Sequence, residues 1–490
     1  MKITLQRALA VLMLVPFLYS CASYNKSMGS YYDNLRAKDY EKATQSLEQN
    51  KLLKKDRNAL LYNLEMGKLY RLQNNFATSN LYLNVADNLI ENSFKSFSDI
   101  AMGNLINPMR QTYKGEDHEK FMMHFYKALN YAALGKTEDA VVEARRITLS
   151  TYKQEDKFVN KDNRYSKDAF ALNLQGMIYE MAGDMNNAFI SYRNAAELFV
   201  NNKNEYYGVT LPEQLKKDLI RTSLAIEFMG EHDQYEKVFN ASFTKANINS
   251  GELILFLEEG NAPIKEENNF FLTATKDGIN SFNYVDANGY NSNFNFNNAA
   301  YNISDDKLAS IRTFKLALPS YRVQYFESQN IVVSNDSVLY NTEMAQNINS
   351  VTVNVMKERF LIEMGNALAR QLTKKLLEKG TEALAEGIAR STDKREAADT
   401  SNTEKEKLEK KKEDRINKVG NVVGLAMNIF NTINEKADTR NWQSLPAFVH
   451  YVRIPLHDGE NTITITSNGV NKTIKVKGGK GLQMMGMEIH

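Results

Sequence analysis

One cysteine, Cys21, and one tryptophan, Trp442, stand in a chain of 490 residues. A single thiol excludes an internal disulfide and any cysteine-built metal site, so stability has to come from the size of the apolar core. Neither sign of charge is in excess, with 61 basic residues against 59 acidic. Removal of residues 1–20 takes away Lys2 and Arg7 and no acid, which leaves 59 against 59. A nucleic-acid binder carries a basic excess or stripe, and this balance excludes that class. No apolar run reaches the ~20 residues needed to span a bilayer. Catalytic spacing is also missing. There is no HExxH, GxSxG, P-loop or Rossmann glycine pattern, and the 6 histidines are scattered along the chain. "GGKG" at 478–481 lacks the Walker spacing and reads as a flexible tail. No catalytic residue, metal or cofactor is therefore expected.

Lys2 and Arg7 flank the start of a short apolar stretch, Ala8 to Leu18, which Pro16 interrupts. A basic head, a short apolar segment and a processing site make a secretory signal peptide of residues 1–20. The processing site, Leu18-Tyr19-Ser20-Cys21, resembles the bacterial lipobox, although Tyr19 is bulkier than the small residue usual there. That resemblance implies acylation of Cys21 as the first mature residue. A diacylglycerol thioether with an N-acyl chain anchors stably, at ~0.8 kcal/mol per buried methylene. The alternative is an incidental cysteine in a cleaved leader. Residues 21–30 then read as a polar lipidated tether. It has no acidic cluster of the kind found in surface-exported lipoproteins, and Ala22 is not the aspartate that retains others in the inner membrane. The expected location is the outer membrane, facing the periplasm, with membrane contact through the lipid anchor only.

Helical hairpins dominate residues 31–245. In "ALNLQGMIYEMAGDMNNAFISYRNAAEL" (171–198), Gly176, Tyr179, Gly183, Ala188, Tyr192 and Ala195 follow the small-and-large pattern of a tetratricopeptide hairpin. Ala128, Tyr131, Gly135 and Ala140 repeat it in 125–147, and Gly67, Tyr70, Leu83 and Ala86 in the preceding unit. Residues 37–49 look like half a unit, and 224–239 like a degenerate one. Gly67, Ala128 and Gly176 are 61 and 48 residues apart, not about 34, so insertions at 91–120 and 150–167 separate the hairpins. The alternative is an irregular helical bundle. Stacked hairpins form a curved solenoid with a concave groove.

From residue 250 the pattern turns extended. "ELILFLEE" (252–259) is a buried strand, "LALPSYRV" and "QNIVVSND" are further strands, and the Asn/Phe/Tyr-rich residues 268–303 fit a flexible loop or irregular hairpins. Helix is expected from Met344, and again over 419–438. The two make a hairpin (344–438) around an almost wholly polar linker, 391–415. Residues 439–490 alternate as a small β-module, with "TITIT" and "KTIKVK" as half-buried strands and "HDGE" and "SNGV" as hairpin turns. The expected fold class is α+β, with a tetratricopeptide-like α-solenoid, a mostly β or irregular region at 250–343, the helical hairpin, and the β-module.

Segments 113–146, 251–267 and 435–462 are together similar to a family of large bacterial lipoproteins with tetratricopeptide-like N-terminal halves and no assigned activity. The resemblance implies an exported lipoprotein and carries no catalytic residues with it. Among polar motifs, "GEDHE" gathers Glu116, Asp117, His118 and Glu119 before a helix, where Asp117 serves as cap or as part of a contact loop. "EARR" places Glu143, Arg145 and Arg146 on a hairpin's second helix, as a solvated ion-paired face or as groove contacts. Trp442 is a packing plug or a ligand platform. With Cys21 for lipidation, these eight residues are the candidate partner-binding set. The expected function is a non-enzymatic scaffold or adaptor that binds envelope proteins through the solenoid groove. The alternative is an envelope glycan-binding protein or a hydrolase acting on cell-wall or surface polymer.

Overall fold

The computed structural model describes residues 24–92, 108–155, 165, 167–242, 251–274, 281–286, 291–296, 313–326, 328, 330–379, 436–479 and 481–489. Cys21, the linker 391–415 and residues 419–435 lie outside the described residues. Helices come first: α1 (Tyr24–Arg36), α2 (Tyr40–Glu48), α3 (Ala59–Leu72), α4 (Phe76–Glu91), α5 (Asp117–Ala133), α6 (Thr137–Glu155), α7 (Ala169–Met181), α8 (Met185–Asn201), α9 (Glu213–Ala225) and α10 (Met229–Phe239). They pack in sequence-adjacent pairs. The turns explain the pairing. Lys38, Asn74 and Gly183 take positive φ, and Asp39, Asn75 and Asp184 then cap α2, α4 and α8 by accepting a backbone N–H three residues on. Each such cap contributes about 1 kcal/mol. Within pairs, Gly67 and Gly176 mark the closest approaches. A Cβ at Gly176 would lie 2.5 Å from the Tyr192 ring, and one at Gly67 2.5 Å from Leu83.

A two-stranded hairpin, β1 (Glu205–Tyr206) with β2 (Val209–Thr210), interrupts the helical half. Strands β3 (Glu252–Glu259), β4 (Ile264–Ala274), β5 (Ser281–Asp286), β6 (Asn291–Asn295), β7 (Thr313–Arg322), β8 (Val332–Asn335), β9 (Val338–Asn341) and β10 (Glu343–Asn347) precede α11 (Ile348–Lys379). β11 (Phe448–Pro455), β12 (Gly459–Ser467), β13 (Val470–Gly478) and β14 (Leu482–Ile489) follow it. The first sheet runs β10-β11-β3-β14, the second β13-β12-β8-β9 and the third β6-β5-β4-β7. Within the first, β3 pairs antiparallel with β11 and parallel with β14.

β3 shows why these layers stack. Ile254 and Phe256 join the helical core, while Leu253, Leu255 and Leu257 join a second core with Ile331, Val333, Ile463 and Ile465. Alternation sends successive side chains to opposite faces, so an unbroken apolar run marks a strand covered on both sides. The order is helices, first sheet, second sheet. α5 and α7 are buried almost all round, from His118 to Asn130 and from Ala169 to Glu180, because they lie between their partner helices and the first sheet.

The α+β class holds, and several boundaries move. The polar tether expected at 21–30 is helix from Tyr24, and Tyr24 is fully buried, its hydroxyl bonded to Asn441 O and Tyr32. Helix begins at Ile348, not Met344, because residues 343–347 pair with β11. The second half of the expected helical hairpin falls largely outside the described residues. No separate C-terminal module forms: β11 and β14 flank β3, and β12 pairs with β8. "HDGE" is a crossing from the first sheet to the second, whereas "SNGV" is the expected tight turn, with Asn468 and Gly469 at φ 51° and 75°. Most of the described part of 268–303 is strand. Phe270, Leu272, Phe282, Tyr284, Phe294 and Phe296 pack on Met364, Ala367 and Leu368 of α11.

Candidate functional site

The "EARR" motif lies where α4, α5 and α6 meet. Glu143 is 3% exposed. It receives Lys127 Nζ at 2.9 Å and faces His124 Nδ1 at 2.8 Å. Lys127 also reaches Asp87 at 2.5 Å, and Arg146 joins Asp87 at 2.9 Å and Glu91 at 3.1 Å. Asp87, His124 and Glu143 stand close enough to share a cation. The Lys127 ammonium already bridges the two carboxylates, so this donor set is neutralised by the protein itself. Glu143 is therefore corrected from a groove contact to an internal ion pair, and Arg146 to the clasp between α6 and α4. Arg145 alone of the three is exposed.

The "GEDHE" residues sit at the start of α5. The helix is capped one residue earlier than expected, at Glu116, whose N–H donates to Glu119 at 2.9 Å. Asp117 pairs with Lys120 at 3.0 Å. Glu119 is completely buried and accepts from Trp442 N at 2.7 Å and Tyr113 Oη at 2.6 Å. Burial, reinforced by the Glu116 charge, pushes its carboxyl up to about 7. For His118, burial outweighs the neighbouring acids and lowers the imidazole to about 4. Burial alone would raise Glu116, but Lys265 at 2.5 Å and Arg359 at 3.5 Å override it and hold the carboxyl at about 2.

Trp442 has no exposed surface. It meets Tyr126 edge to face at 5.7 Å and donates Nε1–H to Ser444 at 2.9 Å. It plugs the junction between α5 and the segment entering β11, and a glycan cannot stack on it. Glu119, His118 and Trp442 are corrected from contact residues to interior ones. Beside them opens a cleft of about 680 Å³, with Tyr113, Glu116, Lys265, Arg359, Glu363 and Asp438 in its wall. Glu363 is paired with Arg359 at 3.3 Å. The Glu116 carboxyl in this wall stays ionised near neutral pH and carries no proton for general acid catalysis.

Two buried ion clusters among the described residues lie outside every motif of the sequence. Buried Lys68 in α3 meets Glu258 of β3 and, at 2.9 Å, Glu488 of β14. Tyr126 Oη donates to the same Glu258 at 2.7 Å. Arg453 in β11 reaches Glu180 at 2.6 Å, Asp218 at 3.0 Å and Glu252 at 2.5 Å, while Arg221 bonds Glu180 at 2.7 Å. These ions tie helices to sheet. The available signal was charge inside apolar strands, as in "YVRIP" and "LFLEE", since a buried charge has to be paired.

Among the described residues no helix is long and apolar enough to cross a membrane. No protein-family model and no curated protein matches the chain. Among solved structures it is similar to BtubC (BKLC) from P. vanneervenii, at 12% identity and a TM-score of 0.30, over 46% of this chain and 83% of that one.

Proposed function

We propose that the chain is a lipid-anchored envelope protein, attached through Cys21 to the outer membrane and facing the periplasm, that binds protein partners and catalyses nothing. Its helical pairs read as tetratricopeptide-like units. The observation carrying the partner-binding reading is on the outer side of α4 and α6, which the Arg146–Asp87 pair holds together. Leu81 and Val85 on α4 are 67% and 47% exposed, and Val142 and Leu149 on α6 are 42% and 55% exposed. Exposed Arg145 stands between these last two in sequence. Exposed apolar groups on one helix with an arginine between them in sequence have the composition of an interface hot spot. The inner side of the array is filled by the first sheet, so the contact moves from the groove to this outer face.

The test is affinity purification from detergent-solubilised membranes. Val142→Glu with Arg145→Glu should abolish recovery of the partners that co-purify with the native chain, with helical circular dichroism unchanged. Recovery of the same partners would remove this face from consideration. Metabolic palmitate labelling should be lost in Cys21→Ala, and labelling that persists would defeat the anchor.

The cleft of about 680 Å³ beside β4 and β7 favours a second reading, an envelope glycan-binding protein or hydrolase. Cell-wall fragments that leave the melting temperature unmoved at millimolar concentration would dismiss it.

A further inference from the structure

The first turn of α1 is pinned to the body of the protein. Besides the buried Tyr24, Asn25 donates to Lys265 O at 3.0 Å and accepts from Gln443 at 2.7 Å, and Asn50 Nδ2 donates to Ser27 O at 3.0 Å. Cys21 is three residues from Tyr24. A fully extended chain spans at most ~3.6 Å per residue, or roughly 11 Å over that distance. If Cys21 carries the acyl chains, as proposed above, the surface around α1's start has to lie against the lipid headgroups.

That surface is basic. Asn25 and Ser27 line a recess of about 600 Å³ whose wall includes Lys51, Lys55, Arg57, Arg110 and Lys436. Lys51, Lys55 and Arg110 are exposed, as is Lys26 in α1 itself. Two acids stand in the same wall, Glu266, paired with Arg322 at 2.7 Å, and Glu267, which accepts the Ala437 N–H at 2.9 Å and keeps its charge, so the five cations outnumber the two carboxylates. Asp56 is the exposed acid adjoining Lys55.

We infer that this face is a second membrane contact, docking on the phosphate groups of anionic lipids and fixing the protein's orientation at the bilayer. Basic residues near an anionic surface are each worth about 1 kcal/mol, roughly fivefold in partitioning. The inference rests on the anchor reading, so the test is made without the anchor. The mature chain with Cys21→Ser, lacking residues 1–20, is sedimented with vesicles of phosphatidylcholine alone or with one third phosphatidylglycerol. It should bind the anionic vesicles at low salt and release as ionic strength rises. Lys51→Glu, Lys55→Glu and Arg110→Glu together should lower binding on the order of 100-fold, with circular dichroism unchanged. Equal binding to both vesicle types, or native binding by the triple variant, would overturn the inference. Displacement by inorganic phosphate at matched ionic strength would assign a small-anion pocket instead, and would overturn it as well. Mass measurement of the native protein tests acylation separately, so failure of the anchor and failure of the basic face are read from different experiments.

Discussion

Glu119 carries its consequence in its protonation. Its folded carboxyl titrates at about 7 against an ordinary 4.5, and Glu65, buried beneath Tyr31 and Tyr32, does the same. The folded state therefore holds protons that the unfolded chain releases. This contribution is full below about pH 4.5 and is lost as pH rises to about 7. Glu116 has the opposite sign. Its carboxyl is held at about 2, and its contribution is lost as pH falls from 4.5 through 2. Glu119→Gln should reduce the decline in stability between pH 5 and 7 by on the order of 1–3 kcal/mol, read as the shift in urea midpoint between those pH values. An unchanged slope would show that Glu119 titrates normally. Gly176 makes a simpler prediction. A Cβ there collides with the Tyr192 ring, whose hydroxyl is tied to Glu180 at 2.8 Å, so the ring has little room to yield. Gly176→Ala should destabilise by about 1–3 kcal/mol, and unaltered thermal unfolding would refute the close approach.

At the scale of elements, the helical hairpins were legible because turns and small residues are local signals. "AGDMNNA" contains both the left-handed Gly183 and the Asp184 cap. β3 and "SNGV" were legible for the same reason. What the sequence hid was non-local. Nothing near "ELILFLEE" says that its neighbours are residues 448–455 on one side and 482–489 on the other. The same blindness made Trp442 a candidate platform and Glu143 a candidate contact, since burial by a distant element leaves no trace in local spacing. The Asn/Phe/Tyr segment failed differently. Its alternation was present, with Phe282 and Tyr284 inward and Asn283 outward, but asparagine is depleted in strands and pulled the reading toward loop. Arg453 joins three elements through Glu180, Asp218 and Glu252. Arg453→Met should leave Glu252 without its partner, and Glu180 and Asp218 sharing Arg221 alone, and cost about 3–5 kcal/mol, seen in chemical denaturation of the full chain. A loss below 1 kcal/mol would mean that Arg221 alone neutralises the cluster.

For the whole molecule, the helical half and the first sheet share one core, in which Phe125, Phe170, Phe256 and Tyr451 belong to the same cluster. A fragment of residues 24–242 should therefore unfold without cooperativity and bind a hydrophobic dye, whereas a freestanding solenoid would melt sharply. Calorimetry on the fragment decides between them. The parallel β3–β14 pair has a further consequence, in time. Residue 252 meets residue 482, so β3 lacks its parallel neighbour, and α5 and α7 a strand that packs on them, until residues 482–489 are made. At 5–20 residues per second, the roughly 250 residues between the end of α10 and the end of β14 take about 12–50 s to synthesise. Throughout that interval the edge of β3 and the part of α5 and α7 that β14 covers stay open. A ribosome that stops short of β14 releases a chain with that edge and that helical surface still open to proteases and chaperones, and the pairing of residues 482–489 with β3 closes both.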